Sequence, residues 1–316
     1  MVIIHIGDVV GRIGRKAVTA LLPNLIAEHD AGLVVVNGEN AAGGNGITSA
    51  VADGIFAAGA DVITTGNHVF AQKQAEELLR NDTSVLRPAN YPPGAPGVGA
   101  GVFPSRTEGL QIGVINLQGR VFMRELDDPF RVADDILDWM RRETPIILVD
   151  FHAEATSEKL ALSHYLDGRV SACVGTHTHV QTADEQVLPG GTAHITDVGM
   201  TGATESIIGV EIAPVLKRFT TQMPVRFQPP ARAPVSSVVW WWRWTRRAVE
   251  RGRSSASGWS KRSTRSGRSD TDRLGRLPSE RFHCTMRSGA SPDARERGGN
   301  HTSDSTKSDD HLAADR

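Results

Sequence analysis

"VVVNGENAAGG", residues 34–44, decides how this chain is read. An apolar, β-branched run reaches Asn37, then Glu39 and Asn40 stand side by side, and the chain loosens into glycine. One buried strand with a carboxylate and an amide at its tip is explained by a turn. The pattern recurs, and recurrence needs another cause. Short apolar runs bounded by Gly, Pro, Asn or Asp predict strands over 2–7, 33–38, 61–66, 111–117, 145–151, 170–175, 192–198, 206–212 and 224–228. A less regular run covers 97–103. Asp8, Glu39-Asn40, Asn67-His68, Asp150 with His152, His177 with His179, and Asp197 lie at or just past their ends.

Helical spacing of apolar residues fills the gaps, over 14–29, 49–58, 70–80, 129–142 and 156–166, with Thr48 and Thr156 as expected caps. Strands alternating with helices predict an α/β fold whose early strands are parallel. Later strands that follow one another without a helix predict antiparallel pairs, so two packed sheets flanked by helices fit better than one open sheet. In such folds ligands bind beyond the carboxyl ends of the strands. A core collects so many carboxylates and imidazoles cheaply only if something cationic compensates them.

Seven residues are candidate metal ligands: Asp8, Glu39, Asn40, Asn67, His152, His177 and His179. They exceed one tetrahedral shell and suit two ions about 3.5–4 Å apart that share a carboxylate. Glu39 is the expected bridge, because its strand is expected to be central. Oxygen donors mixed with imidazole suit first-row ions such as Mn²⁺, Fe²⁺, Co²⁺ or Zn²⁺. Cys173 falls inside a strand and reads as core, so thiolate zinc is not expected.

The wording of these segments is similar to a known group. "GDVVGRIGR", "NGENAAGGNGIT", "TTGNHVF", "RPANYP", "FHAEATSEK", "GTHTHVQTAD" and "TDVGMTG" resemble the calcineurin-like metallophosphoesterase superfamily. Within it they resemble the YmdB-like branch, described as 2′,3′-cyclic-nucleotide 2′-phosphodiesterases. The resemblance covers about residues 1–228. It implies the calcineurin-like sandwich of two mixed sheets flanked by helices. It also implies that Asp8, Asn40 and His179 hold one ion with Glu39, and Asn67, His152 and His177 the second, again with Glu39. His68 becomes the catalytic histidine. Two departures from the wider superfamily are shared by the branch: Asp8-Val9-Val10 replaces Asp-X-His, and Glu39 replaces the bridging Asp.

The implied cofactors are two divalent or mixed-valence first-row ions, iron or manganese before zinc. The implied chemistry is in-line attack on phosphorus by a hydroxide between the ions, with His68 protonating the leaving oxygen, since an imidazole exchanges protons near neutral pH. The expected partner is a small cyclic nucleotide or a cyclic-ended RNA. The alternatives are a broader phosphomonoesterase or RNA-end phosphatase, and a slow, metal-bound regulatory protein that senses a nucleotide. "GDVVGRIGR" lacks the spacing of a phosphate-cradling loop, though Arg12 or Arg15 could meet a phosphate, and Asn90 could meet the substrate or build a turn.

The bulk composition adds boundaries. Two cysteines in 316 residues exclude a disulfide framework, and a net charge of −1 gives no average attraction to nucleic acid or acidic membranes. The start MVIIHIGDVV has no basic region and is interrupted at Asp8, so neither a signal peptide nor a membrane span is expected there. No apolar run approaches about 20 residues, so a cytoplasmic protein without a membrane partner is expected, with a homo-oligomer open. After Pro229-Pro230 the texture changes to "WWWRW" and then to Arg, Ser, Gly and Asp without period. Residues 229–316 are therefore expected to form a separate low-complexity, disordered tail. Valine codons shifted by one base read as tryptophan, so the tail is also read as a frameshift product from near Val239, which resequencing the gene tests.

Overall fold

The computed structural model describes residues 1–236 and 239–243. The first half runs β1 (Val2–Ile6), β2 (Asp8–Val9), α1 (Gly11–His29), β3 (Ala31–Asn37), α2 (Ser49–Ala57), β4 (Val62–Thr64), α3 (Ala75–Asn81) and β5 (Val85–Leu86). Then follow β6 (Ala100–Pro104), β7 (Gln111–Gln118), α4 (Pro129–Glu143), β8 (Ile147–His152), α5 (Thr156–Tyr165), β9 (Ala172–Thr176), β10 (Gln186–Val187), β11 (Ala193–Ile195) and β12 (Met200–Ala203). The described chain closes with α6 (Ile212–Thr221), β13 (Val235–Ser236) and β14 (Val239–Arg243).

Two mixed sheets carry the fold, ordered β14-β1-β3-β4-β5 and β10-β11-β9-β8-β7-β6, and a small sheet β13-β12-β2 lies beside them. Alternate strand residues face opposite sides, and the core divides accordingly. Ile4, Val34, Val36 and Ile63 join Leu22, Ile55 and Leu79 of α1, α2 and α3 in one cluster. Ile3, Leu33, Val35 and Val62 meet Val114, Leu148, Val174 and Ile195 of the other sheet in the second. Ile115, Val149 and Cys173 meet Leu137 and Met140 of α4 and Leu162 of α5 in the third. The result is helices, sheet, sheet, helices: the calcineurin-like sandwich that the resemblance implied. No helix among the described residues is long and apolar enough to cross a membrane.

Several sequence expectations change. The expected antiparallel pairs are confined to sheet edges, at β6–β7, β10–β11, β12–β13 and β14–β1, while β7, β8, β9 and β11 run parallel. Residues 206–212 form a tight turn closed by an isolated bridge between Ile207 and Val210, not a strand. α6 follows, with Pro214 in the first turn where its missing N–H costs nothing. Residues 224–228 are extended but join no sheet. Thr48 sits at the N-cap of α2 without a side-chain bond, and Ala155, not Thr156, caps α5. Two strands lie beyond the boundary drawn at residue 228. β14 pairs antiparallel with β1 over Val2↔Arg243 to Ile6↔Val239, and Trp242 is buried in the inter-sheet core. The remainder of the expected tail, 244–316, lies outside the described residues.

Candidate metal centre

The carboxyl ends of β1, β3, β4, β8 and β9 open at one place, and all eight candidate residues meet there. Asp8 follows β1 and is fully buried. Its Oδ2 accepts from the His177 backbone N–H at 3.1 Å, while its Oδ1 makes no hydrogen bond among the described residues. His179 Nε2 lies 3.7 Å from that oxygen. Glu39, past β3, is also buried. Its Oε1 accepts from Asn40 Nδ2 at 3.0 Å and lies 3.1 Å from His152 Nε2, so it belongs to both halves of the cluster. Past β4, Gly66 has no room for a side chain: a Cβ would overlap the His152 ring and the Glu39 carboxylate. Asn67 then places Oδ1 2.9 Å from His152 Nε2. His177 and His179 follow β9 with left-handed φ of 101° and 66°. Such strained backbone persists where the surroundings fix it, typically at functional sites.

Proton counting identifies the free nitrogens. A hydroxyl has one hydrogen. Thr176 gives its hydrogen to Asp150 Oδ1 at 2.8 Å, so at 3.0 Å it accepts from His152 Nδ1–H. His179 Nδ1–H donates to the Ile208 carbonyl at 2.8 Å. His177 Nε2 faces the Glu154 carboxylate at 3.1 Å. Each of the three imidazoles is thus anchored through one nitrogen and turns the other inward: His152 Nε2, His177 Nδ1 and His179 Nε2. His152 Nε2 and His177 Nδ1 are 3.0 Å apart. Ligand atoms of Glu39, His152 and His177 all lie within 4.8 Å of one another. In the protein alone His152 Nε2 meets Glu39 Oε1 as a counter-charge and Asn40 Nδ2 approaches His179 Nε2 at 3.1 Å; a metal ion among these atoms would take the place of those hydrogens, and outer partners that fix imidazole tautomers are characteristic of metal sites. The donor set fits metal ions, and it contains no thiolate. One detail departs from expectation. Asn40 turns its NH₂ toward Glu39 and His179 and its Oδ1 toward His68 Nδ1 at 2.9 Å, so ligating an ion needs the opposite turn of the amide.

A model of the YmdB-like protein family matches residues 4–246. The chain belongs to the YmdB-like family. It is 49% identical over 227 residues to the 2′,3′-cyclic-nucleotide 2′-phosphodiesterase of Bacillus subtilis, covering 72% of this chain and 85% of that protein. A putative phosphatase/phosphodiesterase of Mycoplasma genitalium is 35% identical, over 69% of this chain and 79% of that one. Among solved structures, a hypothetical protein of Thermus thermophilus superposes with a TM-score of 0.73 at 43% identity, covering 77% of this chain and 94% of that one. A Mycoplasma pneumoniae phosphatase superposes at 0.70 and 33% identity, covering 76% and 87%. This YmdB-like chain is a hydrolase of the phosphoesterase class.

The electrostatics of the YmdB-like centre follow from burial and crowding. In the protein alone, burial pushes the Asp8 carboxyl up to about 6, against the pull of His179 and His152. Burial also works to raise Glu39, but His152, His68 and His177 outweigh it and bring that carboxyl down to about 2. Burial pulls His152 down, yet Glu39, Asp8 and Asp150 lift it to about 9. Burial and then His152 push His177 down to about 3. Two buried carboxylates against imidazoles of opposite tendency leave net negative charge for a cation to meet.

Sequence reasoning placed Asp150 and Asp197 at strand ends and left open what they hold. Asp150, buried between the sheets, accepts from Thr64 at 2.5 Å and Thr176 at 2.8 Å, with His5 Nε2 at 3.2 Å. Burial opposes its ionisation, but His5 and Thr64 hold it below the ordinary aspartate range. Its spacing of two from His152 on β8 was a visible signal. Glu154 stands beside His177, and Asp197 holds Thr178 of the same turn. Arg15 donates to the Ala41 carbonyl and Arg12 to that of Ala231 at 2.9 Å, so each spends part of its guanidinium on a backbone carbonyl. Asn90 is a buried turn residue that ties Gln118 and Asp127 together.

Proposed function

We propose that the chain is a dinuclear metal-dependent phosphodiesterase that opens 2′,3′-cyclic nucleotides at the 2′-phosphoester bond. The carrying observation is the trio of anchored imidazoles turned inward onto Glu39 and Asp8. Asp8, Asn40 and His179 would hold one ion with Glu39; Asn67, His152 and His177 would hold the other, also with Glu39. Fe or Mn suits this mixed oxygen and nitrogen set, and Zn is also compatible. Two divalent ions there supply neutralisation of the phosphodiester charge and acidification of water. The chain's own residues do the rest. Glu39 and Asp8 set the charge of the pocket, and Thr176, Glu154 and the Ile208 carbonyl keep three rings in register. His68, whose side chain is 39% exposed at the cavity wall, stands beside Asn40. Its Nε2 hands a proton to the departing 2′ oxygen as water adds to phosphorus and the P–O2′ bond breaks. The product is a 3′-phosphate.

The test is metal analysis of the purified chain with hydrolysis of 2′,3′-cyclic AMP, 3′,5′-cyclic AMP and 3′-AMP. Metal-dependent conversion of the first to 3′-AMP is expected. Faster phosphate release from 3′-AMP, or turnover unaffected by metal removal, overturns the reading. His68→Ala is expected to keep its metal and lose about 10²–10⁴ in turnover, the usual worth of a positioned acid. Unchanged turnover removes His68 from the step. Asp150→Asn is expected to weaken metal binding by about 10–100-fold, as outer-partner substitutions do. An amide there can offer Thr176 a hydrogen, and Thr176 then turns its own toward His152 Nδ1. Metal titration followed by calorimetry reads the change.

A further inference from the structure

The metal centre forms only one end of its cavity. That cavity has a volume of about 470 Å³, within the range of small-molecule sites. Another part of its lining is apolar: Ile208, Val210, Phe227 and Pro229. Phe227 is 50% exposed and Ile208 51%, so neither is spent on the protein core.

This wall is held in place. The extended segment that bears Phe227 joins no sheet, yet the Glu211 N–H donates to the Gln228 carbonyl at 2.9 Å. The Pro229 ring lies against Gly11 and Gly44, where added Cβ atoms would come within 3.1 Å and 2.6 Å of it. Arg12 Nη2 donates to the Ala231 carbonyl at 2.9 Å. The segment therefore crosses the start of α1 and the loop after β3 as a fixed strap. Ile208 is tied more directly. It adopts φ of 47°, a left-handed conformation costly for a β-branched residue, and its carbonyl accepts from His179 Nδ1–H. The same backbone unit that orients an inward-facing imidazole also presents an apolar side chain to the cavity.

We infer that Phe227, backed by Ile208, is the stacking platform for the nucleobase of the substrate. The inference rests on the phosphodiesterase reading above and adds to it the part of the ligand that is not phosphate. In a nucleoside 2′,3′-cyclic phosphate, one ribose carries the phosphate on two oxygens and the base on C1′. A phosphate held at the polar end thus directs a flat base toward the apolar wall of the same cavity. Every base has a π-face, so stacking on phenylalanine gains affinity with little sequence preference, and the larger purines gain more.

The test compares two five-membered cyclic phosphodiesters, 2′,3′-cyclic AMP and glycerol 1,2-cyclic phosphate, which lacks a base. The quantity read is the ratio of their kcat/KM values. Wild type is expected to favour the nucleotide. In Phe227→Ala the ratio is expected to fall about tenfold, through KM for the nucleotide, while Phe227→Trp retains it. A merely structural role for Phe227 lowers both substrates together and leaves the ratio unmoved, which overturns the platform. A wild type that opens both rings with equal efficiency overturns it as well and leaves the phosphodiesterase reading intact. A wild type that opens neither ring overturns both.

Discussion

Glu39→Ala is expected to abolish metal binding at both positions and to take phosphodiester hydrolysis to background, a larger loss than the 10²–10⁴ or so expected of His68→Ala. Glu39 lies between the two halves of the cluster: Oε1 meets Asn40 Nδ2 at 3.0 Å and His152 Nε2 at 3.1 Å, and Oε2 accepts from the His68 N–H at 3.3 Å. The other ligands belong to one half each, and their loss leaves the other half with its carboxylate. Removing Glu39 also removes the main counter-charge of His152, the group that lifts it to about 9. The ring then reverts toward the neutral form favoured by burial, so the fold itself is expected to survive. Elemental analysis of purified Glu39→Ala and His68→Ala separates the two roles: the first lacks metal and the second keeps it. A Glu39→Ala protein that retains two ions per chain refutes the shared-carboxylate arrangement.

The site was readable from sequence because its donors sit where strands stop, and strand ends are marked locally by glycine and by the end of an apolar run. Glu39-Asn40 and Asn67-His68 need no knowledge of neighbouring strands to be noticed. What surrounds them was not readable in this way. Thr176 reaches His152 because β8 and β9 pair in the register His152↔Thr176, and register is a property of two segments 24 residues apart. Glu154 lies just before α5 and meets His177 only because the turn after β9 brings that ring to it.

The fold shows the same division. The continuous apolar runs of β1, β3 and β7 were sufficient to place them, and later strands without intervening helices implied two sheets. β14 escaped because its tryptophan run leads directly into Arg- and Ser-rich sequence, and only the free edge of β1 gives that run a partner. α6 escaped because residues 206–212 read as a strand, and its Pro214 sits in the first turn, where a proline is compatible with a helix. Parallel order in the second sheet depends on β11 beside β9, a neighbour relation that chain order does not reveal.

Lys159→Met is expected to cost about 3 kcal/mol of stability, at the lower end for breaking a buried ion pair from one side. Lys159 of α5 is 1% exposed, its stem runs beneath Gly175 of β9, and its Nζ meets Asp197 Oδ2 at 2.7 Å. Asp197 is fully buried and also accepts from the Thr178 N–H at 3.1 Å, the Thr178 hydroxyl at 2.7 Å and the Gly199 N–H at 2.7 Å. Those neutral donors soften the loss of the ammonium but do not cancel a buried charge. For a domain of this size the melting temperature is expected to fall by about 6–12 °C. Lys159→Met combined with Asp197→Asn is expected to cost less than the two single changes summed, by at least about 1 kcal/mol, because the second change removes the charge that the first left bare. Strict additivity in thermal or urea unfolding refutes the pair as a coupled unit. The same pair reaches the metal centre through Thr178, which stands between His177 and His179 in a turn that holds both at left-handed φ. Lys159→Met is therefore expected to weaken metal binding at temperatures well below its melting point, where the sheets are intact and only the turn has lost its anchor.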